Sequence, residues 1–474
     1  MNYSHIIVID QGTNSTRAII YNKNGEAIFK SRQAIELINP EQFHFEQNGN
    51  SILDSCKLVL SKANEFVLKN KLSDVAVALA TQRSTVIAWD VNSGNALSPA
   101  LSWLDTRAQC VLEQLNLSNQ KIKSITGLQI SPHYGASKLR WLLEHCEAVQ
   151  NARQQKSLLL GPLAGFLIYN LVENNPAYVD YSNAHRTLLW NLNTCLWDHF
   201  LLDTFSIDSD LLPVPVPNTY SYGVINEAGF PLILVNGDQN SAVYGHANVP
   251  AKSIFVNVGT GGFVLARDFQ KAPAASKMLN SIMYSSENKR EFAVEGTING
   301  AGSSLSWAED QWGVEDIENI AWHDANDVPI FLNTVGGLGS PWWNSSIAPG
   351  FLDNNKTCHD YSVKQCKAAL MESIVFLIAK NIEEMQLSGI AVNMLVTSGG
   401  LTADKYFCQR LADVCAIPVM LSSYQETTSR GAAWLALGRP AWEFDASEII
   451  YPENDAAIML RYRMFVAEIE RLLP

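Results

Sequence analysis

Motifs for two widespread nucleotide-binding folds are missing from this sequence of 474 residues. No stretch reads G-x-x-x-x-G-K-[ST], which excludes a P-loop, and no G-x-G-x-x-G opens a helix, which excludes a Rossmann dinucleotide site. Paired cysteines are missing too, because the eight cysteines are scattered and form no C-x-x-C. We therefore expect reduced thiols rather than a disulfide framework or a metal site.

Positive charge is in short supply, with 34 Lys and Arg against 47 Asp and Glu and a net charge of −13. Nothing would offset repulsion from a phosphodiester backbone, so we expect no nucleic-acid partner. The charge balance does not exclude a nucleotide ligand, because backbone N–H groups can bind its phosphates locally.

Long apolar runs are lacking as well. The most apolar stretch, 157–172, is broken by Gly161, Pro162 and Gly165, and it is shorter than the about 18 uninterrupted residues that span a membrane. We interpret it as a buried helix and expect no membrane partner. The N-terminus has neither the charged region nor the apolar core of a signal peptide, so the expected location is the cytoplasm.

The chain is rich instead in apolar residues, at 47%, with 17% charged, which is typical of a folded protein. Its length exceeds what one hydrophobic core accommodates, so we expect two large domains. Segment 211–223 carries three prolines at alternate positions and is the best candidate for a crossover. We place the domains at 1–236 and 237–474.

Strands and helices alternate along the sequence, which predicts an α/β fold. The apolar opening 6–9 is followed by a second strand, and Asn24-Gly25 would supply the two positive-φ positions of a tight hairpin. Further elements are expected over 75–80 (strand), 137–149 (helix) and 362–386 (a long amphipathic helix).

One local pattern occurs twice. Gly12-Thr13 and Gly259-Thr260 each follow a buried strand and precede another strand, about half the chain apart. A protein built from two related halves would produce this repetition.

Three glycine-bearing turns follow buried strands, at 10–16, 259–262 and 398–401. Backbone N–H groups at such turns cradle phosphates because no side chain stands in the way. One such turn alone is most often a plain tight turn. Three of them favour a phosphate ligand, since they also carry hydroxyl groups, at Thr13, Ser15, Thr16 and Thr260.

Two acids stand at strand ends, Asp10 and Asp238. An acid in this position is often only a helix N-cap. Phosphoryl transfer, however, needs two acids with different tasks: one holds magnesium, and the other accepts the proton of the attacking hydroxyl.

Segments in both halves of the chain carry a family resemblance. In the first half they are "DQGTNSTR" (10–17), "TQRSTVIAWD" (81–90), "SWLDTRA" (102–108), "SKLRWLLEH" (137–145) and "YSNAHRTLLWNL" (181–192). In the second half they are "GDQNSAVYG" (237–245), "VGTGGFVLA" (258–266), "EGTINGAGSSLSW" (295–307), "GGLGSPWW" (336–343), "SGGLTADKYFCQRLAD" (398–413) and "ETTSRGAAWLALG" (426–438). In order and spacing the chain resembles the FGGY carbohydrate kinases, most closely the glycerol kinases.

The resemblance implies an α/β fold with two actin-like (ribonuclease H-like) ATPase domains flanking a central cleft where substrate binds. It implies ATP and Mg²⁺ as cofactors, with Asp238 as general base and with Asp10 and Asp238 as the metal-site acids. The implied nucleotide-binding residues are Gly12, Thr13, Asn14, Ser15, Arg17, Thr260, Gly261, Gly302, Ser306, Gly400 and Asp404. The implied substrate-binding residues are Arg83, Ser84, Trp103, His133, Tyr134, Asp238, Gln239 and Phe263.

The departures from glycerol kinases concern the substrate pocket most. Ser84 stands where that group has Glu, and His133 stands where it has Tyr, with Tyr134 next door. Asp404 and Ser306 replace an Asn and a Gln of its nucleotide pocket. Shorter side chains with fewer acceptors predict a substrate larger than glycerol, a four- to seven-carbon polyol or ketose such as a pentulose.

Three other interpretations stay open at this point. The protein is a glycerol kinase proper if Tyr134 and another acid move in to restore glycerol binding. It is a non-catalytic sugar or nucleotide sensor if the fold has lost turnover, although Asp10, Asp238 and Thr260 are all present. It is an ATPase chaperone of the actin–Hsp70 type if the sugar-kinase segments are coincidental. A homodimer or a higher homo-oligomer is compatible with each interpretation.

Overall fold

The structure, a computed structural model, describes residues 3–226, 228–271, 277–422, 424, 426–443 and 446–473. Contacts within the chain divide it into two compact units. Unit 1 comprises Met1–Asn248, Ser281–Phe292 and Tyr424–Phe444, and unit 2 comprises Val249–Asn280, Ala293–Ser423 and Asp445–Pro474.

Unit 1 is built on a six-stranded sheet of order β11-β12-β5-β1-β2-β3, with a four-stranded sheet β4-β7-β6-β8 and the pair β10-β9. Its strands are β1 (His5–Gln11), β2 (Ser15–Asn22), β3 (Ala27–Ala34), β4 (Glu46–Gln47), β5 (Val75–Thr81), β6 (Val86–Asp90), β7 (Ala100–Leu101), β8 (Leu158–Pro162), β9 (Tyr178–Asp180), β10 (Val214–Val216), β11 (Thr219–Val224) and β12 (Pro231–Gly237).

The helices of unit 1 surround these sheets. They are α1 (Gly49–Asn70), α2 (Gln109–Gln114), α3 (Asn119–Thr126), α4 (Gly135–His145), α5 (Glu147–Gln154), α6 (Leu163–Leu171), α7 (Tyr181–His185), α8 (His199–Phe205) and α9 (Asp238–Tyr244), with a later helix introduced below. Strands β1 and β5 pair in parallel, and the side chains of Ile6–Ile9 and of β5 are buried, as apolar runs in a parallel sheet require.

Unit 2 is built on a seven-stranded sheet of order β15-β16-β14-β13-β19-β20-β21 and a short pair β17-β18. Its strands are β13 (Ser253–Val258), β14 (Gly262–Phe269), β15 (Leu279–Ser286), β16 (Lys289–Ile298), β17 (Phe331–Leu332), β18 (Gly350–Phe351), β19 (Met394–Ser398), β20 (Val419–Ser422) and β21 (Ala446–Ile450), of which β15 and β16 run partly in the segment assigned to unit 1. The remaining helices are α10 (Ser303–Trp312), α11 (Val363–Leu387), α12 (Lys405–Cys415), α13 (Thr427–Ala436) and α14 (Ala456–Leu472), and 3₁₀ turns lie at Ser209–Leu211, Ile317–Asn319, Cys358–Asp360 and Gly400–Ala403.

The predicted repetition is present in the backbone. In unit 1, β1 turns directly into antiparallel β2 and pairs in parallel with β5. In unit 2, β13 turns directly into antiparallel β14 and pairs in parallel with β19. The glycine N–H closes each turn with a bond of 3.0 Å, from Gly12 to Ser15 O across three residues and from Gly259 to Gly261 O across two.

Helix α13 belongs to unit 1 although it lies far along the sequence, and it packs on α9 and β1. The helices approach closely because two contact positions have no Cβ. A Cβ on Gly431 would lie 1.8 Å from Ser241 O, and a Cβ on Gly245 would lie 2.1 Å from Thr427 O. Neither contact is visible in a linear sequence.

The division between the units differs from the predicted boundary at 236/237, since the chain first leaves unit 1 after Asn248. Strand β12 ends at Gly237 and α9 begins at the next residue, so the predicted boundary would fall inside β12, before its last residue. Segment 211–223 lies within unit 1, where its prolines flank and occupy the short two-stranded pair of β10.

Other local predictions need correction. The single helix predicted over 157–172 is wrong for Leu158–Pro162, which is β8, and right for Leu163–Leu171, because an apolar run suits a buried strand as well as a helix. The segment predicted as one helix over 137–149 is two helices, α4 and α5, separated at Cys146.

The β2–β3 hairpin is present, but its connection spans residues 23–26, and Gly25 alone of the predicted pair has a positive φ, at 85°. The long helix α11 is present and is buried on nearly all sides rather than amphipathic, because β14, α12 and α14 cover it. Among the described residues, no helix is both long and apolar enough to cross a membrane.

Candidate functional site

Two side chains from other segments of unit 1 form hydrogen bonds with the turn of residues 12–14. Gln47 Nε2 donates to Thr13 O at 2.7 Å, and the Trp103 indole N–H donates to Thr13 Oγ1 at 3.0 Å. Asn14 is exposed, whereas Ser15 is buried at the start of β2. The structure thus joins Thr13, predicted to contact phosphate, to Trp103, predicted to contact substrate.

Asp10 is the penultimate residue of β1, just before this turn, and its side chain is largely buried. Burial, followed by the charge of Asp238, raises the pKa of Asp10 to about 7. Arg17 Nη1 lies 3.9 Å from Asp10 Oδ2 and 2.8 Å from Glu426 Oε2, so a carboxylate from outside the predicted set holds this guanidinium.

Asp238 opens α9 at the end of β12. Its Oδ1 accepts the Gln239 N–H at 2.7 Å, and the Arg83 backbone N–H also contacts the carboxylate. Burial raises the pKa of Asp238, while the Arg83 guanidinium acts in the opposite direction. The charge of Asp238 acts on Asp10, so unit 1 brings the two predicted acids near each other.

Arg83 lies across the end of β12. Its Nη1 donates to Asn240 Oδ1 at 2.7 Å, and its Nη2 donates to Gln239 Oε1. This path requires a glycine below it, because a Cβ on Gly237 would lie 2.6 Å from Arg83 Cδ. Arg83, Gln239 and Asp238, three of the residues predicted to bind substrate, therefore lie together in one cluster.

Ser84 has a left-handed backbone, with φ of 63°, and its carbonyl accepts Lys138 Nζ at 2.7 Å. The same Nζ donates to Ser102 O at 2.9 Å, so one buried lysine joins the segments that carry Ser84 and Trp103. His133 Nδ1 lies 3.0 Å from Trp103 O, which places His133 beside the same segment. Tyr134 is the N-cap residue of α4.

The glycine turns of unit 2 converge at one end of its sheet. Gly302 N–H donates to Gly259 O and Ser303 N–H donates to Thr260 O, both at 2.9 Å. A Cβ on Gly302 would lie 2.6 Å from Gly259 O, and a Cβ on Gly399 would lie 2.5 Å from Val258 O. The predicted phosphate turns at 259–262 and 398–401 are thus neighbours.

The remaining predicted residues of unit 2 occupy different settings. Gly400 and Ser306 are exposed, the latter on α10, and Phe263 lies near the start of β14. Asp404 is engaged structurally: its carboxylate caps α12 through Tyr406 N–H at 2.9 Å and accepts the Trp322 indole N–H at 2.8 Å.

Sequence patterns did not reveal the residues whose hydrogen bonds and ion pairs position the segments that carry the predicted site residues. Lys138 was visible only as part of a matching segment, and Glu426 likewise. Gln47 gave no signal, yet Gln82 Nε2 bridges Gln47 Oε1 at 2.8 Å and Gln11 Oε1 at 3.1 Å beneath the 12–14 turn. Such roles arise from long-range contacts, which no local pattern records.

Comparison with known proteins gives the context for this geometry. The family model for the N-terminal domain of FGGY carbohydrate kinases matches residues 5–244, and that for the C-terminal domain matches residues 254–438. The chain belongs to the FGGY family of carbohydrate kinases. It is therefore a kinase that transfers a phosphoryl group to an alcohol group of its substrate, and the two-domain actin-like fold expected from the resemblance is confirmed.

Relatives named glycerol kinase cover most of this FGGY kinase. One from Streptococcus sanguinis (strain SK36) and one from Streptococcus pneumoniae (strain Hungary19A-6) are each 30% identical over 451 residues, which is 91% of this chain and 88% of the relative.

Solved structures of kinases also match this chain over nearly its full length. The Plasmodium falciparum glycerol kinase with ADP matches with a TM-score of 0.86 and 25% identity, over 99% of this chain and 98% of that one. A ligand-bound xylulose kinase from Lactobacillus acidophilus matches with a TM-score of 0.81 over the same shares at 19% identity, a likeness of fold alone.

Proposed function

We propose that this FGGY kinase uses ATP, with Mg²⁺, to phosphorylate a hydroxyl of a polyol or ketose larger than glycerol. The observation that carries the proposal is the cluster of Asp238, Arg83 and Gln239 beside Asp10 in unit 1. It combines a proton acceptor with donors that can orient a hydroxylated substrate. The ADP bound by the Plasmodium falciparum relative supports a nucleotide as phosphoryl donor.

Magnesium fits the residues present. The ion is usually held by one or two carboxylates together with substrate phosphates, and Asp238 lies close enough to Asp10 to raise the pKa of Asp10. Burial and the charge of Asp238 raise the pKa of Asp10 more than the Arg17 guanidinium lowers it, so a bound cation would stabilise the ionised carboxylate. When bound, Mg²⁺ would offset negative charge on the transferred phosphate.

The chain's own groups then have separate tasks. Asp238 accepts the proton of the attacking hydroxyl, and its raised pKa brings it nearer to the operating pH of a general base. Arg83 and Gln239 donate hydrogen bonds to other hydroxyls of the substrate. In unit 1, Thr13 and Asn14 contact the transferred phosphate, with Gly12 leaving room and Arg17 supplying charge. In unit 2, the 259–262 and 398–401 turns offer backbone N–H groups to the nucleotide phosphates.

Two residues support a substrate larger than glycerol. The Ser84 side chain is short and neutral, so it offers no carboxylate to substrate hydroxyls. The Ser84 backbone carbonyl is bonded to Lys138 Nζ. His133 is bonded to the Trp103 carbonyl rather than presenting a phenol. A longer polyol or ketose would fill the space and bring its own hydroxyls to Arg83.

Glycerol phosphorylation is the second candidate, favoured by the 30%-identical relatives named glycerol kinase. The deciding experiment is kcat/KM for glycerol, erythritol, xylulose, ribulose and sedoheptulose, assayed by ADP release with saturating Mg-ATP. We expect a four- to seven-carbon compound to rank first, because a site that pairs more hydroxyls discriminates against a ligand that lacks them.

Ser84→Glu is the matched variant, since it restores the acid of glycerol kinases. We expect it to shift preference toward glycerol. Glycerol ranking first in the unmodified enzyme would refute the pocket argument. ADP release with none of the five compounds would instead favour the non-catalytic sensor.

A further inference from the structure

A buried polar network lies behind Asp238 and takes no part in the chemistry proposed above. Its centre is the Asp180 carboxylate, which is 0% exposed at the end of β9. It accepts Asn183 N–H at 3.1 Å, Asn183 Nδ2 at 2.8 Å, Asn218 Nδ2 at 3.0 Å and the Ser182 hydroxyl.

Ser182 links the Asp180 network to the peptide that precedes Asp238. Its hydroxyl donates to Asp180, so its oxygen is free to accept, and it accepts the Gly237 N–H at 2.9 Å. Gly237 ends β12 and is the N-cap residue of α9, directly before Asp238. The hydroxyl therefore fixes the peptide from which the Asp238 side chain departs.

A second route reaches the same peptide. Asn236 Oδ1 lies 3.0 Å from Gly237 N and 3.1 Å from Asn218 Nδ2, and the Ser285 hydroxyl donates to Asn218 Oδ1 at 2.7 Å. Segments from β9–α7, β10–β11 and β15 thus converge behind one backbone N–H. More hydrogen bonds therefore meet around this peptide than an ordinary turn requires.

A cap alone does not account for Asp180. The capping bond to Asn183 N–H could come equally from Ser or Asn, neither of which places a charge in the interior. Burial raises the pKa of Asp180 to about 6, so the carboxylate remains ionised above that pH. An ionised acceptor strengthens the hydrogen bond from Ser182 and makes the Ser182 oxygen a better acceptor in turn.

We propose that Asp180, acting through the Ser182 hydroxyl on the Gly237 N–H, is a positioning group that orients Asp238 toward the substrate hydroxyl. The proposal rests on the proposed role of Asp238 as general base. Small displacements of a catalytic group reduce turnover strongly, by about 10²-fold for about 1 Å. The network should therefore act on kcat rather than on ligand affinity.

The test compares Ser182→Ala with Ser182→Thr and Ser137→Ala in the full chain. The acceptor is whichever of the five compounds named above gives the unmodified enzyme its largest kcat/KM. Ser137 is a matched control, because it is buried in the same unit and its hydroxyl has no partner among the described residues. We expect Ser182→Ala to lower kcat by about 10- to 100-fold, with the acceptor KM and the ADP dissociation constant within about threefold of wild type. Ser182→Thr and Ser137→Ala should keep kcat within a few-fold.

The outcomes separate this proposal from the one it rests on. Wild-type kcat in Ser182→Ala, or a loss of kcat matched by an equal loss of ADP affinity, overturns the positioning role. Asp180→Asn keeps the capping oxygen without the charge, and wild-type kcat there overturns the part assigned to the carboxylate. Wild-type kcat in Asp238→Asn, measured in parallel, overturns the general base itself.

Discussion

At the scale of single residues, two carboxylates in unit 1 differ in their partners. Asp238 is contacted by backbone N–H groups and faces the Arg83 guanidinium. Asp10 has a distant guanidinium at 3.9 Å and feels the charge of Asp238. The first arrangement suits a base that must accept and return a proton, and the second suits a ligand that awaits a cation.

Replacing Asp238 with Asn tests the first assignment. The amide keeps the size and hydrogen bonding of the side chain but cannot accept the proton. We expect kcat to fall by at least about 10²–10⁴-fold, the usual contribution of a positioned general base. Calorimetry without Mg²⁺ should show ADP affinity within a few-fold of wild type, and a loss of ADP affinity as large as the loss of kcat would contradict the assignment.

The pKa of about 7 at Asp10 predicts a pH-dependent metal affinity. Because the pKa is raised, Asp10 is protonated below pH 7 and ionised above it, and Mg²⁺ binds the ionised form. The apparent affinity for Mg-ADP should rise from pH 6 to pH 8 and then level off, with proton uptake by the buffer at pH 7. Asp10→Asn is the control: it should bind more weakly, and the same pH profile in both proteins would count against Asp10 as a ligand.

Lys138 offers a prediction that the sequence did not. Lys138→Met keeps the length of the side chain but leaves the Ser84 and Ser102 carbonyls without their donor. A buried acceptor left bare costs about 1–3 kcal/mol, so the two substrate segments should loosen. We expect the acceptor KM to rise by about tenfold or more while the ADP dissociation constant stays the same. An unchanged KM would show that the lysine has no part in substrate binding.

Local patterns predicted the acids and glycines of the site because each has a local signature. Asp10 and Asp238 follow apolar strands, and the glycines mark turns. Ser182 and Gln47 have no such signature, since a buried serine or glutamine is defined by what lies across from it. Asp404 also caps α12, a role that its position before a helix makes readable in the sequence, and its place in the nucleotide pocket stays a prediction.

At the scale of elements, the contact between α9 and α13 fixes the helix that carries the general base. The small residues of α13 do not indicate in the sequence that this helix packs on α9. Likewise, the pattern of α11 indicated a helix, and only tertiary packing shows that both of its faces are covered. Sequence therefore predicts elements well where the pattern is local and poorly where covering elements come from distant segments.

Gly431→Ala tests the α9–α13 contact. The new Cβ would lie 1.8 Å from Ser241 O, so one helix must shift. Overpacking of this kind costs about 1–3 kcal/mol, and kcat should fall as well because α9 begins with Asp238. The control is Gly350→Ala, whose Cβ would have nothing within 4 Å. Equal melting temperatures for the two variants would contradict the packing argument.

At the scale of the whole molecule, the two units are interleaved along the chain. Unit 1 takes Ser281–Phe292 and Tyr424–Phe444 from the second half of the sequence. The first provides Ser285 to the network behind Asp238, and the second provides α13 and Glu426. Sequence patterns suggested two consecutive domains because they show the order of elements along the chain. They do not show that later segments return to the first unit.

A fragment of residues 1–248 should therefore not fold as unit 1 does. It retains Asp10 and Asp238 but lacks α13, which packs on α9 and β1. We expect no cooperative thermal transition and strong binding of a hydrophobic dye, in contrast to the full chain. A cooperative transition near the full-length melting temperature would show that the later segments are dispensable.

The late position of α13 also has a consequence for synthesis on the ribosome. Translation proceeds at about 5–20 residues per second, so on the order of ten seconds or more separate the emergence of α9 from that of α13. Throughout this interval, the face of α9 around Gly245 has no helix against it. The nascent chain must wait for nearly its last segment before the half that it made first can close, and a chaperone that shields α9 during translation would raise the yield of active enzyme.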